Sequence, residues 1–290
     1  MPSRRVATGP ACTTCGNYHE TVAKQTKAAD GVVPTQPHPA RVYDYFLGGK
    51  DNYRVDRVVA EMVTAEMPEV QEGARATRAV LGRVVRYLVR DAGVRQFLDI
   101  GAGLPTSENV HQIAQRTDPS VRVVYVDNDP VVSAYGKALL ADNAATVVAD
   151  GDLRDPAGII AHPRVCGHFD WTRPIGLLLG GVLPQILDDE RPEEITATLI
   201  GALPAGSYVF IQHLLIMDDP KAARLQKYMA RSFGRFQFRT LDQVRGFFHG
   251  LEFVDPGLVP VPDWRPDSPA GDDQAEIARM ACAGVARKPG

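Results

Sequence analysis

Cysteine is scarce, with four in 290 residues. That excludes a disulfide-stapled scaffold, and a reducing, cytoplasmic setting is expected. An excess of one charge is also missing. Lys and Arg total 32 against 35 Asp and Glu, a formal net charge of -3. This gives no electrostatic footprint for nucleic acid or an anionic membrane surface as the main partner. The longest apolar run, residues 175–183, contains three glycines and falls well short of the roughly 20 residues that span a bilayer. Arg4 and Arg5 are followed by residues too polar for a signal-peptide core. Internal repeats and low-complexity blocks are absent.

The chain does carry 44% apolar and 23% charged residues, the balance of a soluble globular protein with a sizeable core. Residues 1–36 read as a polar, flexible leader, closed off by Pro34, Pro37 and Pro39. Residues 37–92 read as a helical cap or lid. From Val55 to Arg90, apolar positions recur at spacings of three and four, and Pro68 divides them into two helices. Arg75, Arg78, Arg83, Arg86 and Arg90 line the second helix as a solvated face.

From residue 93 the rhythm becomes strand, helix, strand. Strands are expected at Gln96–Ile100, Val121–Val126, Thr146–Ala149, Ile175–Leu179 and Ser207–His213. Helices are expected at Thr106–Arg116, Val131–Asn143, Arg191–Leu203 and Leu241–Gly250, with late strands near Phe253 and at Ala281–Arg287. Such alternation predicts an α/β fold, a doubly wound, mostly parallel, seven-stranded Rossmann-like sheet over residues 93–290.

Three strand ends carry chemistry. Asp99-Ile100-Gly101-Ala102-Gly103 runs from the first strand into a Gly-x-Gly turn, with Thr106 as the expected N-cap of the next helix. The third glycine of a dinucleotide fingerprint is replaced by Thr106. This argues for a nucleoside ligand without a pyrophosphate. The second strand ends in Asp127-Asn128, placing a carboxylate where it can bridge two ribose hydroxyls. The third is followed by Asp152-Leu153, a carboxylate and a backbone N–H suited to an adenine edge. Together they indicate a class I S-adenosylmethionine-binding fold.

Further blocks carry a family resemblance: residues 39–53 (PARVYDYFLGGKDNY), 98–106, 149–156, 204–208 and 254–259, with Trp264-Arg265-Pro266. From about Pro37 to Lys288 the chain resembles the actinobacterial S-adenosyl methyltransferases, long filed as a domain of unknown function. The resemblance implies the fold and S-adenosyl-L-methionine, with S-adenosyl-L-homocysteine as product. It supplies no substrate. Two departures stand out: Pro184 where similar enzymes read Leu-His, and Gln212 where they read Ser-His.

Expected cofactor contacts are Asp99, Gly101, Gly103, Asp127, Asn128, Asp152 and Leu153, with Tyr45, Gly49 and Asn52 closing over the ligand. The alternative for residues 41–53 is a packed helix with Gly48-Gly49 as its C-cap. His213 is the candidate base, and His249 reads as surface. A small-molecule acceptor, from secondary metabolism by analogy of fold, is expected, methylated on O or N. Two alternatives stand beside it: a binding protein that transfers nothing, and an enzyme using the cofactor for another bond change. No metal site is expected from Cys12, Cys15 and His19, which lack a second ligand pair, nor from His162, Cys166 and His168. Oligomeric state stays open.

Overall fold

Apolar runs rich in Val, Leu and Ile form the strands of the computed structural model, which describes residues 34–105, 108–139, 143–267 and 276–290. The strands are β1 (Gln96–Ile100), β2 (Arg122–Asp127), β3 (Thr146–Asp150), β4 (Gly176–Gly180), β5 (Tyr208–Leu214), β6 (Glu252–Phe253), β7 (Val259–Pro260) and β8 (Ala281–Arg287). They form one sheet in the order β3-β2-β1-β4-β5-β8-β6, with β7 on β8 beside that path. The first five are parallel, and β8 runs antiparallel to β5. Strand order therefore reverses between β1 and β4. In an open parallel sheet, that is where a crevice forms beyond the strand ends.

The helices are α1 (Pro39–Phe46), α2 (Arg54–Glu66), α3 (Val70–Arg90), α4 (Val110–Thr117), α5 (Pro130–Leu139), α6 (Pro156–Ala161), α7 (Pro163–Cys166), α8 (Pro192–Ala202), α9 (Pro220–Phe233) and α10 (Leu241–Gly246). Side chains alternate across the sheet. Leu98, Ile100 and Val124 join the core under α6 and α8, whereas Phe97 and Val123 join the core under α3 and α4. A third core gathers Phe46 of α1, Val63 of α2, Leu225 of α9, Phe236 and Met280. No described helix is long and apolar enough to cross a membrane.

The 37–92 segment is not walled off from the sheet, because Val80, Val84 and Leu88 of α3 are fully buried against it. The arginine row of α3 also differs from a solvated face. Arg83 donates to the carbonyls of Val261 and Trp264, and Arg78 lies partly buried beside the loop before α4. Helix α9 escaped the sequence pattern because alanines and charged residues dilute its few large apolar side chains. Its boundary signals are nevertheless present: Asp219 caps it, Pro220 occupies the first turn, and Gly234 stops it at φ 71°. The helix after β1 starts later than expected, at Val110. Pro105 holds Leu104 out of helical conformation, and Asn109 takes the cap position. Thr106, the expected cap, lies outside the described residues, as do the Cys12, Cys15 and His19 cluster and residues 1–33 of the leader.

Candidate active site

A cavity of about 240 Å³ sits at the C-terminal ends of β1 to β5, roofed by α1, α3 and α9. Its floor follows from the strand-end residues. Gly101 and Gly103 have φ of 72° and 67°, a region that glycine alone enters without strain. A Cβ at Gly101 would also fall 2.5 Å from Val182, so the turn can pass the β4 loop only without a side chain.

Asp127, at the end of β2, is fixed by two backbone donors. Gly103 N donates to Oδ2 and Asp129 N to Oδ1, both at 2.9 Å. Burial raises its pKa, while these backbone donors oppose the shift. Asp129 beside it is held by Arg41 of α1. Arg41 is 4% exposed and also donates from Nε to Asp56 at 3.0 Å. Two acids and one guanidinium thus tie the roof to the β2 loop with little solvent access.

Asp99 contrasts with Asp127. It is 6% exposed, lines the cavity, and accepts no hydrogen bond from the described residues. Burial pushes its carboxyl up to about 7; Arg78 opposes the shift and Asp127 adds to it. A buried acid without a partner is costly unless a ligand supplies one. Asp152 takes Asn128 Nδ2 at 3.0 Å and the Arg154 backbone and guanidinium. Although burial acts to raise it, those partners hold its pKa below the usual range. Leu153 is buried at the same wall. The structure therefore brings Asp99, Gly101, Gly103, Asp127, Asn128, Asp152 and Leu153 to one cavity.

Tyr45, Gly49 and Asn52 do not line this cavity. Asp44 organises their loop instead: Asn52 Nδ2 donates to Asp44 Oδ2 at 2.8 Å and Asp51 N at 3.0 Å. A Cβ on Gly49 would sit 1.9 Å from Asp44 Oδ1, so Gly49 serves that close approach. Tyr45 packs edge-on against Phe46 at the third core. The roof is formed by neighbours of the same motif, among them His38, Ala40, Tyr43 and Phe46.

His213 does not line the cavity. It is fully buried, and its ring contacts protein at both nitrogens. Nδ1 donates to Leu214 O at 2.7 Å, and Nε2 accepts from Arg239 at 3.1 Å. Burial and the Arg239 cation drive its pKa down to about 3, against the Leu214 bond. Arg239 itself, 1% exposed, donates to Leu183 O and Ile186 O and pairs with Asp188. His213 and Arg239 together hold the loop after β4, and nothing in the sequence marked Arg239. The cavity-side neighbours on these strand ends are Pro184 and Gln212. His249 is exposed, with Nε2 meeting Thr196 Oγ1 at 2.9 Å. His168 Nε2 meets Ala145 O, and no group of three or more His, Cys, Asp or Glu among the described residues could hold a metal ion.

Comparison with known proteins agrees with this geometry. The sequence profile of the S-adenosyl methyltransferase family matches residues 25–289. A structure from Thermobifida fusca, assigned to the methyltransferases, is 39% identical with a TM-score of 0.85, over 88% of this chain and 96% of that one. A DUF574 family protein from Streptomyces avermitilis is 38% identical with a TM-score of 0.84, over 88% and 98%. No curated protein matches. The chain belongs to the S-adenosyl methyltransferase family, and its cofactor is S-adenosyl-L-methionine.

Proposed function

We propose that the protein transfers the methyl group of S-adenosyl-L-methionine to a small-molecule acceptor held under α1, α3 and α9. The observation that carries this reading is the cavity itself, where Asp99, the Gly101–Gly103 turn, Asp127 and Asp152 meet at three adjacent strand ends. Asp127 accepts from the ribose hydroxyls, Asp152 and the Leu153 N–H meet the adenine edge, and Asp99 pairs with the amino-acid end. When bound, the cofactor supplies an electrophilic methyl on a sulfonium. The chain contributes position and exclusion of water, which in-line displacement chiefly requires. The roof is anchored for that role by Arg41, which grips Asp129 two residues beyond the ribose carboxylate.

Isothermal titration with S-adenosylmethionine, S-adenosylhomocysteine and NAD tests this. Binding of the first two, absence of NAD binding, and loss of both in Asp127→Ala are expected. Equal binding of NAD, or unchanged affinity in the variant, would contradict it.

A further inference from the structure

We infer that the acceptor is an apolar carboxylic acid, methylated on its carboxylate oxygen and positioned by Gln212. This rests on the methyltransferase reading above and names its substrate class.

The cavity has two unlike lobes. Beyond the charged floor, the space under the roof is walled by Phe46, Leu225, Met229, Phe236, Ile277 and Met280. These come from α1, α9, the segment after α9 and residues 277–280 directly before β8. Such a lobe removes hydrocarbon or aromatic surface from water and rejects a polar body.

Gln212 is a polar residue of the cavity wall on the β4–β5 side. It lies at the end of β5 opposite Gly180 in register, is 7% exposed, and lines the cavity. Its side-chain amide makes no hydrogen bond with the described residues. A Cβ on Gly181 would come within 2.9 Å of Gln212 Oε1. A buried amide without a partner, facing a cavity, implies a ligand group that supplies one.

Among the described residues no base serves this lobe. Tyr43 and Thr77 bond to each other at 2.9 Å, and burial pushes the Tyr43 phenol further up. His213 is occupied at both nitrogens. His38 lies against the Asp129 carboxylate after β2, two strands from β4. Asp99, Asp127 and Asp152 belong to the cofactor floor, and Pro184 offers no side-chain donor or acceptor.

An acceptor here must arrive with its nucleophile already unprotonated. A carboxylate does so at neutral pH, whereas an alcohol does not. Its charge would be matched by the sulfonium and by an N–H of Gln212. The carboxylate oxygen forms the new C–O bond as the methyl C–S bond breaks, with that pair passing to sulfur. The products are a neutral methyl ester and S-adenosylhomocysteine, and no proton moves.

The test offers the full chain matched ligands: decanoic acid, 1-decanol and decylamine, then 2-naphthoic acid, 2-naphthol and 2-naphthylamine. Binding is titrated with S-adenosylhomocysteine present, and products formed with S-adenosylmethionine are identified by mass spectrometry. Acids of at least one series should bind and yield methyl esters, with no product from the alcohols. Gln212→Leu should weaken acid binding by about tenfold, and Gln212→Glu should weaken it further by repulsion. Titration with S-adenosylhomocysteine checks that both variants fold. Methyl ethers or N-methylamines without esters, no binding of either acid, or acid binding unaffected in both variants would overturn the inference. Failure of the wild-type chain to bind S-adenosylmethionine would overturn the underlying reading instead.

Discussion

The floor and the roof of the cavity are built by opposite strategies. The floor takes Asp99, Asp127 and Asp152 from three adjacent strand ends, each a short step from a backbone ladder that fixes it. The roof takes its apolar side chains from α1, α3, α9 and residues 277–281, which meet only through tertiary packing. Polar groups need defined donors at defined angles, so a rigid sheet edge suits them. Apolar surface is recognised by area, which several unrelated segments can supply together. One half can therefore stay constant in chemistry while the other changes its ligand.

The largest effect should come from the residue that holds the loop after β4. Arg239→Met removes the side-chain donor of Ile186 O, one of the donors of Leu183 O and of Asp188, and the partner of His213 Nε2. A loss of about 3 kcal/mol is expected, chiefly from buried acceptors that lose a charged donor. Chemical denaturation would measure it. A change below about 0.5 kcal/mol, the level of an ordinary surface substitution, would show that the β4 loop stands without Arg239.

Asp127→Ala should act on the floor alone. Losing a charge-assisted pair of hydrogen bonds predicts about a hundredfold weaker S-adenosylmethionine binding, measured by titration. Binding of an apolar acid should survive; its loss as well would mean the two lobes are not separable.

Asp99 and His213 sharpen the comparison through pH. Asp99 goes from an ordinary 3.8 to about 7 on burial, so the fold holds its proton more tightly than the unfolded chain. Its contribution to stability is full below about pH 4 and is lost as pH rises through 7. His213 is lowered from 6.5 to about 3, so its contribution is present above about pH 6.5 and is lost as pH falls toward 3. Asp99→Asn should therefore gain up to about 4 kcal/mol relative to wild type between pH 4 and 8, read from urea midpoints. A flat difference across that range would contradict the burial of an unpaired acid. Cofactor affinity of the wild type should also rise with pH through about 7, as Asp99 ionises.

The smallest effect is expected at the roof. Met229→Ala, at a partly buried position, should cost about 1 kcal/mol and leave S-adenosylmethionine affinity within about twofold, well below 1 kcal/mol. A large loss of cofactor affinity would place Met229 on the cofactor itself.

The sequence was most legible where function and local structure coincide. Gly101, Gly103 and Asp127 are adjacent to strands whose apolar pattern is plain, so their meeting at one cavity follows from the parallel order. The β8 strand is found at residues 281–287 as its pattern predicts. Its place between β5 and β6 depends on antiparallel pairing that periodicity does not encode. Helix α9 was hidden because its apolar positions are diluted by charge, although its caps were visible. His213 misled because a strand-end histidine looks the same whether it faces the cavity or the interior. Only Arg239, 26 residues away in sequence, decides between them. Gly49 and Asn52 meet Asp44, which lies within the same block, and nothing in their spacing separates that role from a cavity contact.

A crystal structure with S-adenosylhomocysteine is the most direct test. The ribose hydroxyls should lie on Asp127, the adenine edge against Asp152 and Leu153 N–H, and the α-amino group within hydrogen-bond distance of Asp99, with sulfur facing the Gln212 lobe. A ligand seated with its ribose away from Asp127, or its amino end away from Asp99, would contradict the division into a charged floor and an apolar roof.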